Sequence, residues 1–274
     1  MSCFSCPVCG GRLERLEKAY TCPGGHSYDI AAEGYVYLLP PNKKHSKMPG
    51  DDKAMVASRR RFLEAGYYRR FSDMLNELAL RYLPGDSSAA VDAGCGEGYY
   101  TGRLAAYFSA HGAEGPLCGF DISKFAVKAA AKKYRAIPFA VGSMFGIPVP
   151  DASAGLLTNV FAPIVPDEFA RIVKQGGTMI LAVPSERHLY GLKQILYDEP
   201  YENERRDTDY PGFRLAERVP VRGEIGTDDP QVMRDLFAMT PYFWKTPREG
   251  SDRLFSAKRL DTETGFDFLV YVRE

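Results

Sequence analysis

The sequence contains no apolar run long enough to cross a bilayer, so it offers no candidate transmembrane helix. Its first residues, Met-Ser-Cys-Phe-Ser-Cys, lack the basic and apolar regions of a secretory signal. A cytoplasmic location is therefore expected, and structural disulfides are not. Net charge is also missing: 35 Lys and Arg balance 35 Asp and Glu, which removes any global electrostatic argument for a nucleic-acid partner. What remains is ordinary for a globular chain, with 45% hydrophobic and 26% charged residues. A length of 274 residues suits one large domain with an appendage, or two domains.

The charge is balanced but not evenly spread. Residues 1–135 carry 19 Lys and Arg against 14 Asp and Glu, a local net of +5. Basic clusters lie at Lys43, Lys44 and Lys47, at Arg59, Arg60 and Arg61, at Arg69 and Arg70, and at Lys124, Lys128, Lys132, Lys133 and Arg135. Such segregation is either a phosphate-binding footprint or a set of solvated helix faces, and the second reading is the default.

The stretch that organises the chain is residues 89–103. A short apolar run ends at Asp92, then Gly94, Gly96 and Gly98 alternate, and a helical pattern follows. This reads as strand, glycine turn and helix, with free N–H groups at the helix start that favour polar or anionic ligand groups. A dinucleotide fingerprint spaces its glycines by one and then two residues. Here both spacings are one, a poor match to an NAD site. The form Asp-x-Gly-x-Gly-x-Gly looks like motif I of class I S-adenosylmethionine-dependent methyltransferases. Asp121 ends the next apolar run, where a doubly wound sheet hydrogen-bonds ribose hydroxyls. The plainer role for that turn is to cap the next helix, which Ser123 fills equally well.

The four residues Cys6, Cys9, Cys22 and His26 form a Cys-x2-Cys knuckle, a twelve-residue gap and a second pair. Thiolate and imidazole donors at this spacing suit tetrahedral zinc. Four protein ligands leave no open position, so the site reads as structural. Cys3 has no matching partner and is read as free. So small a segment cannot build a sufficient core alone, and the metal would supply folding free energy.

The expected organisation is a zinc-binding domain over 1–39, a linker and helices over 40–85, and a methyltransferase domain over 86–274. Residues 14–20 read as part of a hairpin and 28–39 as a turn and an apolar strand. A mobile linker is expected over 40–50, then helices over 53–65 and 67–82 that could lie across the mouth of the cofactor site. Strands are expected near 89–93, 116–121, 137–141, 154–160 and 177–183. Helices are expected near 98–110, 123–134, 166–174 and 185–196. That alternation implies a parallel, doubly wound α/β sheet. Strands near 212–223 and 266–273 flank a helix near 228–238 and give an antiparallel finish. This is the seven-stranded, Rossmann-like pattern of class I methyltransferases. Residues 198–210 read as a polar insertion and a candidate for disorder.

The motifs together resemble the RlmA family of 23S ribosomal RNA guanine-N1-methyltransferases, which includes macrolide-resistance relatives. The marks are Cys-Pro-Val-Cys with Cys22 and His26, Glu33-Gly34-Tyr35-Val36, Pro49-Gly50-Asp51, and Arg60-Arg61-Phe62-Leu63-Glu64-Ala65-Gly66 with Tyr68. Further marks are Gly94 to Thr101, Asp121-Ile122-Ser123-Lys124, Ala162-Pro163, His188-Leu189 and Met239-Thr240-Pro241 with Trp244. The resemblance implies one zinc ion on Cys6, Cys9, Cys22 and His26. It implies S-adenosyl-L-methionine at the motif around Gly96 and Glu97, with Tyr68 and His188 nearby. It also implies that the zinc unit and the basic surface recognise a hairpin of large-subunit RNA, and that the protein is a homodimer. Departures are Ala93, where the family has Ile or Val, and Asn159-Val160-Phe161-Ala162-Pro163, where it has Arg-Ile-Tyr-Ala-Pro. Val141-Gly142-Ser143 lacks the acidic residue many methyltransferases place near the adenine.

Methyl transfer to guanine N1 needs an in-line approach and removal of the N1 proton, hence a base or a polar pocket for the developing charge on O6. Asn159 and His188 are the catalytic candidates, although an amide is a weak proton acceptor and His188 equally suits a cofactor contact. A flipped base needs an aromatic platform. Tyr35, Phe161 and Trp244 are candidates, Trp244 foremost because Pro241 and Pro247 suggest an irregular loop around it. Two other readings stay open: a small-molecule methyltransferase on the same core, and a non-catalytic RNA-binding protein that has kept the fold.

Overall fold

The computed structural model describes residues 2–43, 49–113, 115–205 and 209–274. Lys44 and Lys47 of the basic linker lie outside the described residues.

The chain opens with three short strands, β1 (Glu14–Arg15), β2 (Ala19–Thr21) and β3 (Ser27–Asp29), in an antiparallel sheet ordered β1-β2-β3. A fourth, β4 (Val36–Tyr37), leaves that sheet and pairs in parallel with a strand of the main one. Helix α1 (Lys53–Glu64) starts at Asp52, whose carboxylate accepts the Met55 N–H at 2.9 Å. Helix α2 (Arg69–Arg81) follows after Gly66.

The methyltransferase-like unit then alternates as the periodicity requires. Its elements are β5 (Ala89–Ala93), α3 (Tyr99–Ala110), β6 (Leu117–Asp121), α4 (Lys124–Lys133), β7 (Phe139–Val141), β8 (Ala154–Val160), α5 (Pro166–Ile172), β9 (Val173–Pro184) and α6 (Tyr190–Leu196). The finish is β10 (Phe213–Thr227), α7 (Pro230–Ala238), α8 (Tyr242–Lys245), α9 (Arg248–Ser256) and β11 (Leu260–Arg273). The main sheet runs β10-β11-β9-β8-β5-β6-β7-β4, with β11 antiparallel to both its neighbours and the other pairs parallel. Seven of these strands are the expected set. The eighth, β4, comes from the N-terminal unit, which is thereby spliced onto the sheet edge.

The sheet is buried on both faces, and alternate residues of one strand serve different layers. On β11, Phe266, Phe268 and Val270 pack with Leu75, Leu104, Leu192 and Leu236 of the helices. Leu269 and Tyr271 pack on the other face, in the layer that also holds Phe4, Leu13, Tyr20 and Phe120. The zinc-cluster segment therefore shares the core of the main sheet. Ser5 N–H donates to the Pro148 carbonyl at 3.0 Å and Leu38 N–H to that of Val141 at 2.8 Å. Cys3 is a free, buried thiol hydrogen-bonded to Cys118 of β6.

Three expectations are corrected. The helix expected over 185–196 begins only at Tyr190; before it the chain turns, with Leu189 held in a left-handed conformation at φ 57°. The irregular loop expected around Trp244 is helical, because Pro241 and Pro247 stand just before α8 and α9, where a missing N–H costs nothing. The polar insertion is anchored on its described part: Asn203 and Tyr201 are hydrogen-bonded to the body, and Tyr210 is buried in the core.

Candidate active site

Strand order reverses at β5, which has β6 on one side and β8 on the other. Ligands of doubly wound sheets bind at the carboxyl ends of the strands at such a point, and the glycine loop follows β5 there.

Its three glycines do three jobs. Gly94 has φ 82°, and a Cβ there would lie 2.4 Å from that of Ala162, so the turn after β5 packs directly on the turn after β8. Gly96 has φ 55°, and a Cβ would approach only Arg59 Nη1, at 3.7 Å. Its need is the backbone angle, and the space above it is left open. Gly98 lets α3 close on Ala130 of α4, where a Cβ would stand 2.9 Å away.

Asp92 does not face that space. It is buried, accepting the Thr101 hydroxyl at 2.5 Å and the Thr158 hydroxyl at 3.1 Å, and so ties β5 to α3 and β8. Burial pushes its carboxyl up to about 6, against the pull of the two hydroxyls. Asp121 accepts the Gly96 N–H at 3.0 Å and the Ser123 N–H at 2.8 Å. A carboxylate has about four lone-pair sites, so two remain open to further donors. Ser123 separately caps α4, accepting the Ala126 N–H at 3.2 Å, so the capping role in that turn falls to Ser123.

Sequence reasoning missed Arg59, which no local motif marks. It ion-pairs with Asp51 and lies over the Gly96 loop, within electrostatic reach of Glu97 and Asp121. Burial works against its charge, and the three carboxylates outweigh it. Glu97 is buried too. Burial pushes its carboxyl up to about 7, with Arg59 pulling the other way. Helix α1 is thus laid against the cofactor loop by its own side chains, and Ser123 Oγ–H donates to the Asp51 carbonyl at 2.6 Å to hold its entry.

On the other side of the loop stands an aromatic wall. Tyr68, buried just before α2, packs edge-on to Phe62 and Phe266 at 5.1 and 5.0 Å between ring centroids. Phe161 stacks on Phe71 at 5.6 Å and on His188 at 6.3 Å, with interplanar angles of 21° and 17°. Its backbone is left-handed, φ 53°, and its side chain is 46% exposed. A strained aromatic residue presented to solvent at a strand end is a candidate for a functional position. His188 is buried, and its Nδ1 accepts the Gly265 N–H at 3.3 Å, which leaves the proton on Nε2. Burial drives its basicity down to about 3, so the ring is a neutral hydrogen-bond donor and a poor base.

The remaining candidates separate. Asn159 is buried and donates both Nδ2 bonds, each 3.3 Å, to the Ala93 and Pro163 carbonyls, so it latches the strand ends. Tyr35 is a core residue packed with Leu39, Cys95 and Val127. Trp244 is 66% exposed on α8, with its ring edge-on to Phe243 at 5.0 Å. Much of the basic half is paired: Arg60 and Lys133 with Glu64, Arg61 with Asp235, Lys128 with Glu33.

In the N-terminal unit the ligating atoms of Cys6, Cys9, Cys22 and His26 lie within 4.8 Å of one another. Cys22 Sγ is 3.3 Å from His26 Nδ1 and 3.5 Å from Cys9 Sγ, the edge lengths of a tetrahedron closed on one ion. Burial opposes ionisation of Cys6, but the Tyr28 hydroxyl at 3.1 Å and backbone N–H groups bring its thiol down to about 6, toward the thiolate zinc needs.

A Rossmann-like sheet, a motif I loop, a carboxylate after the second strand of the motif and a four-ligand knuckle define a class I S-adenosylmethionine-dependent methyltransferase with one structural zinc. Residues 90–177 match a methyltransferase-domain family model, and residues 4–47 match the N-terminal zinc ribbon of RlmA. The chain is 32% identical to the 23S rRNA (guanine(748)-N(1))-methyltransferase of Streptomyces fradiae, over 87% of this chain and 85% of that one. It is 37% identical to a putative 23S rRNA (guanine-N(1)-)-methyltransferase of Micromonospora griseorubida, over 88% and 86%. It is 28% identical to another of that name from Bacillus subtilis, over 98% and 96%. The chain belongs to the RlmA family of 23S rRNA (guanine-N1)-methyltransferases.

Proposed function

We propose that this protein transfers a methyl group from S-adenosylmethionine to N1 of a guanine in a hairpin loop of 23S ribosomal RNA. It does so in the cytoplasm, as a homodimer. The observation that carries the reading is the union of two units on one sheet: a zinc ribbon joined through β4 to a methyltransferase core, in a chain alignable with rRNA methyltransferases over most of its length.

In this reading Cys6, Cys9, Cys22 and His26 hold zinc. Gly94, Gly96, Glu97 and Gly98 line the cofactor, Asp121 takes the ribose, and Asp92 supports the loop from beneath. Bound S-adenosylmethionine supplies an electrophilic methyl group on a sulfonium. The protein's residues do the positioning. Phe161 carries the unstacked base on its exposed face, Phe71 and Phe266 back its ring, and Tyr68 stands on the cofactor side. The N1 proton passes to solvent as the N1–methyl bond forms, and the His188 Nε2–H donates toward the oxygen where charge develops. Asn159 contributes by holding the Phe161 turn rather than by taking a proton.

Primer extension on 23S rRNA from cells with and without the protein tests the function. N1-methylguanine cannot pair, so reverse transcriptase stops one nucleotide short. A stop that disappears with the protein is the expected result. Identical traces would overturn the reading.

A further inference from the structure

We propose that Asn203 and Lys193 are positioning residues that fix the turn carrying His188, and with it the direction of the His188 ring. The proposal rests on the role assigned to His188 above.

Asn203 lies in the polar stretch between α6 and β10, which carries no cofactor motif. Its Nδ2 donates to the Ser185 carbonyl at 2.8 Å and to the His188 carbonyl at 3.3 Å. Its backbone N–H donates to the Glu186 carbonyl at 2.7 Å. One side chain therefore grips both ends of the four-residue turn 185–188, and its backbone grips the middle. The turn needs holding, because Leu189 beside His188 is left-handed, a strained conformation for a non-glycine residue.

Lys193 orients Asn203 in turn. Its Nζ donates to Asn203 Oδ1 at 2.7 Å and to the Tyr201 carbonyl at 2.9 Å. This fixes the amide's sense: the oxygen faces the ammonium and the nitrogen faces the turn. Lys193 is fully buried, with Tyr201 and Tyr242 rings 4.1 and 5.5 Å from the ammonium. Among the described residues no carboxylate is ion-paired with it. A fully buried lysine is rare without a paired carboxylate. Here its two acceptors belong to the stretch that clamps the active-site turn. The ring's Nδ1 accepts the Gly265 N–H, a bond it can keep only while the turn holds the His188 backbone in place beside β11. Loosening the turn should therefore release the ring without unfolding the sheet.

The test substitutes Asn203→Asp, which keeps the oxygen that faces Lys193 and removes the two donors to the turn. Activity is read on transcribed 23S rRNA with saturating S-adenosylmethionine, beside thermal unfolding and the imidazole 15N shifts of His188. The expected result is a fall in kcat of about 10- to 100-fold, as for a misaimed active-site group, with little change in Tm. The His188 nitrogens should move from one tautomer toward an average of two. In a His188→Asn background the Asn203→Asp change should have no further effect on kcat. Additive losses in the double variant, or His188 shifts that stay put, would overturn the proposal. Full activity of His188→Asn alone would overturn the role of His188 on which it rests, and is recognisable because the 15N arm does not depend on activity. Lys193→Met, which removes the ammonium at similar length, should reproduce the Asn203→Asp shifts; unchanged shifts there would remove Lys193 from the clamp.

Discussion

Asp121 reaches from the end of β6 to accept the N–H of Gly96 at 3.0 Å, so the glycine loop after β5 and the end of β6 are bonded to each other. The carboxylate braces the glycine loop, and in the proposed reading it also takes the ribose. Asp121→Asn would turn an acceptor into a group with an N–H₂, which can meet Gly96 only by facing its oxygen there and presenting donors elsewhere. We expect affinity for S-adenosylmethionine to fall about 10-fold or more, in line with the loss of a charged hydrogen bond of roughly 1.5–3 kcal/mol. Calorimetric titration checks this. Unchanged affinity would place the ribose away from Asp121.

Asp92 and Glu97 give the fold an unusual pH response. Burial raises them to about 6 and about 7. A raised carboxyl stabilises the fold while protonated. Its contribution is complete below the unfolded value near 4 and is lost as pH rises through 6 to 7. His188, depressed to about 3, acts in reverse: its contribution is complete above about 6.5 and is lost as pH falls. Asp92→Asn isolates one component. Between pH 4.5 and 7.5 the stability of the native protein should drop relative to Asp92→Asn by about 2 kcal/mol. Denaturant unfolding at both pH values measures it, and parallel profiles would show that Asp92 does not titrate in this window.

Much of this site was legible in the sequence because its parts are local. The glycines after Asp92, Asp121 at the next strand end and the Cys-x2-Cys knuckle each announce themselves within a few residues. What was not legible depends on tertiary contact. Arg59 is one arginine among three until α1 is laid on the Gly96 loop. Phe161 and Trp244 look alike as aromatics near proline, and only the wall of Phe71 and His188 distinguishes them. Prolines 241 and 247 read as loop signals, yet proline at a helix start is equally good chemistry. Asn203 sits in a stretch whose polarity suggests disorder, and its partners are backbone carbonyls that no sequence pattern reveals.

Zinc removal should be felt by the whole protein. Phe4, Leu13 and Tyr20 of the N-terminal unit share a core with Val91 and Phe120 of the main sheet, and β4 is its edge strand. Cys22→Ser should bring the metal content from one per chain to near zero and lower the Tm of the single unfolding transition. Calorimetry with metal analysis checks it. A separate low-temperature transition, with the main one unmoved, would mean that the ribbon folds as an independent domain. Retained metal would mean that Cys22 is not a ligand.

Phe161 combines strain and exposure, and the two can be separated by substitution. Its φ of 53° is easy for glycine and costly for alanine. Phe161→Gly should therefore be at least as stable as Phe161→Ala, although it removes more side chain. Both lose the ring that faces solvent beside His188. Stacking of a base on an aromatic ring is worth about 1–3 kcal/mol by alanine substitution. Both variants should accordingly raise KM for 23S rRNA by about 10- to 100-fold, while Phe161→Trp retains activity. Titration of S-adenosylmethionine into the same variants should give an unchanged Kd, since the glycine loop and Asp121 are intact. If the cofactor's Kd weakened and KM for RNA stayed put, the ring would belong to the cofactor side of the cleft, and the base would have to stack elsewhere.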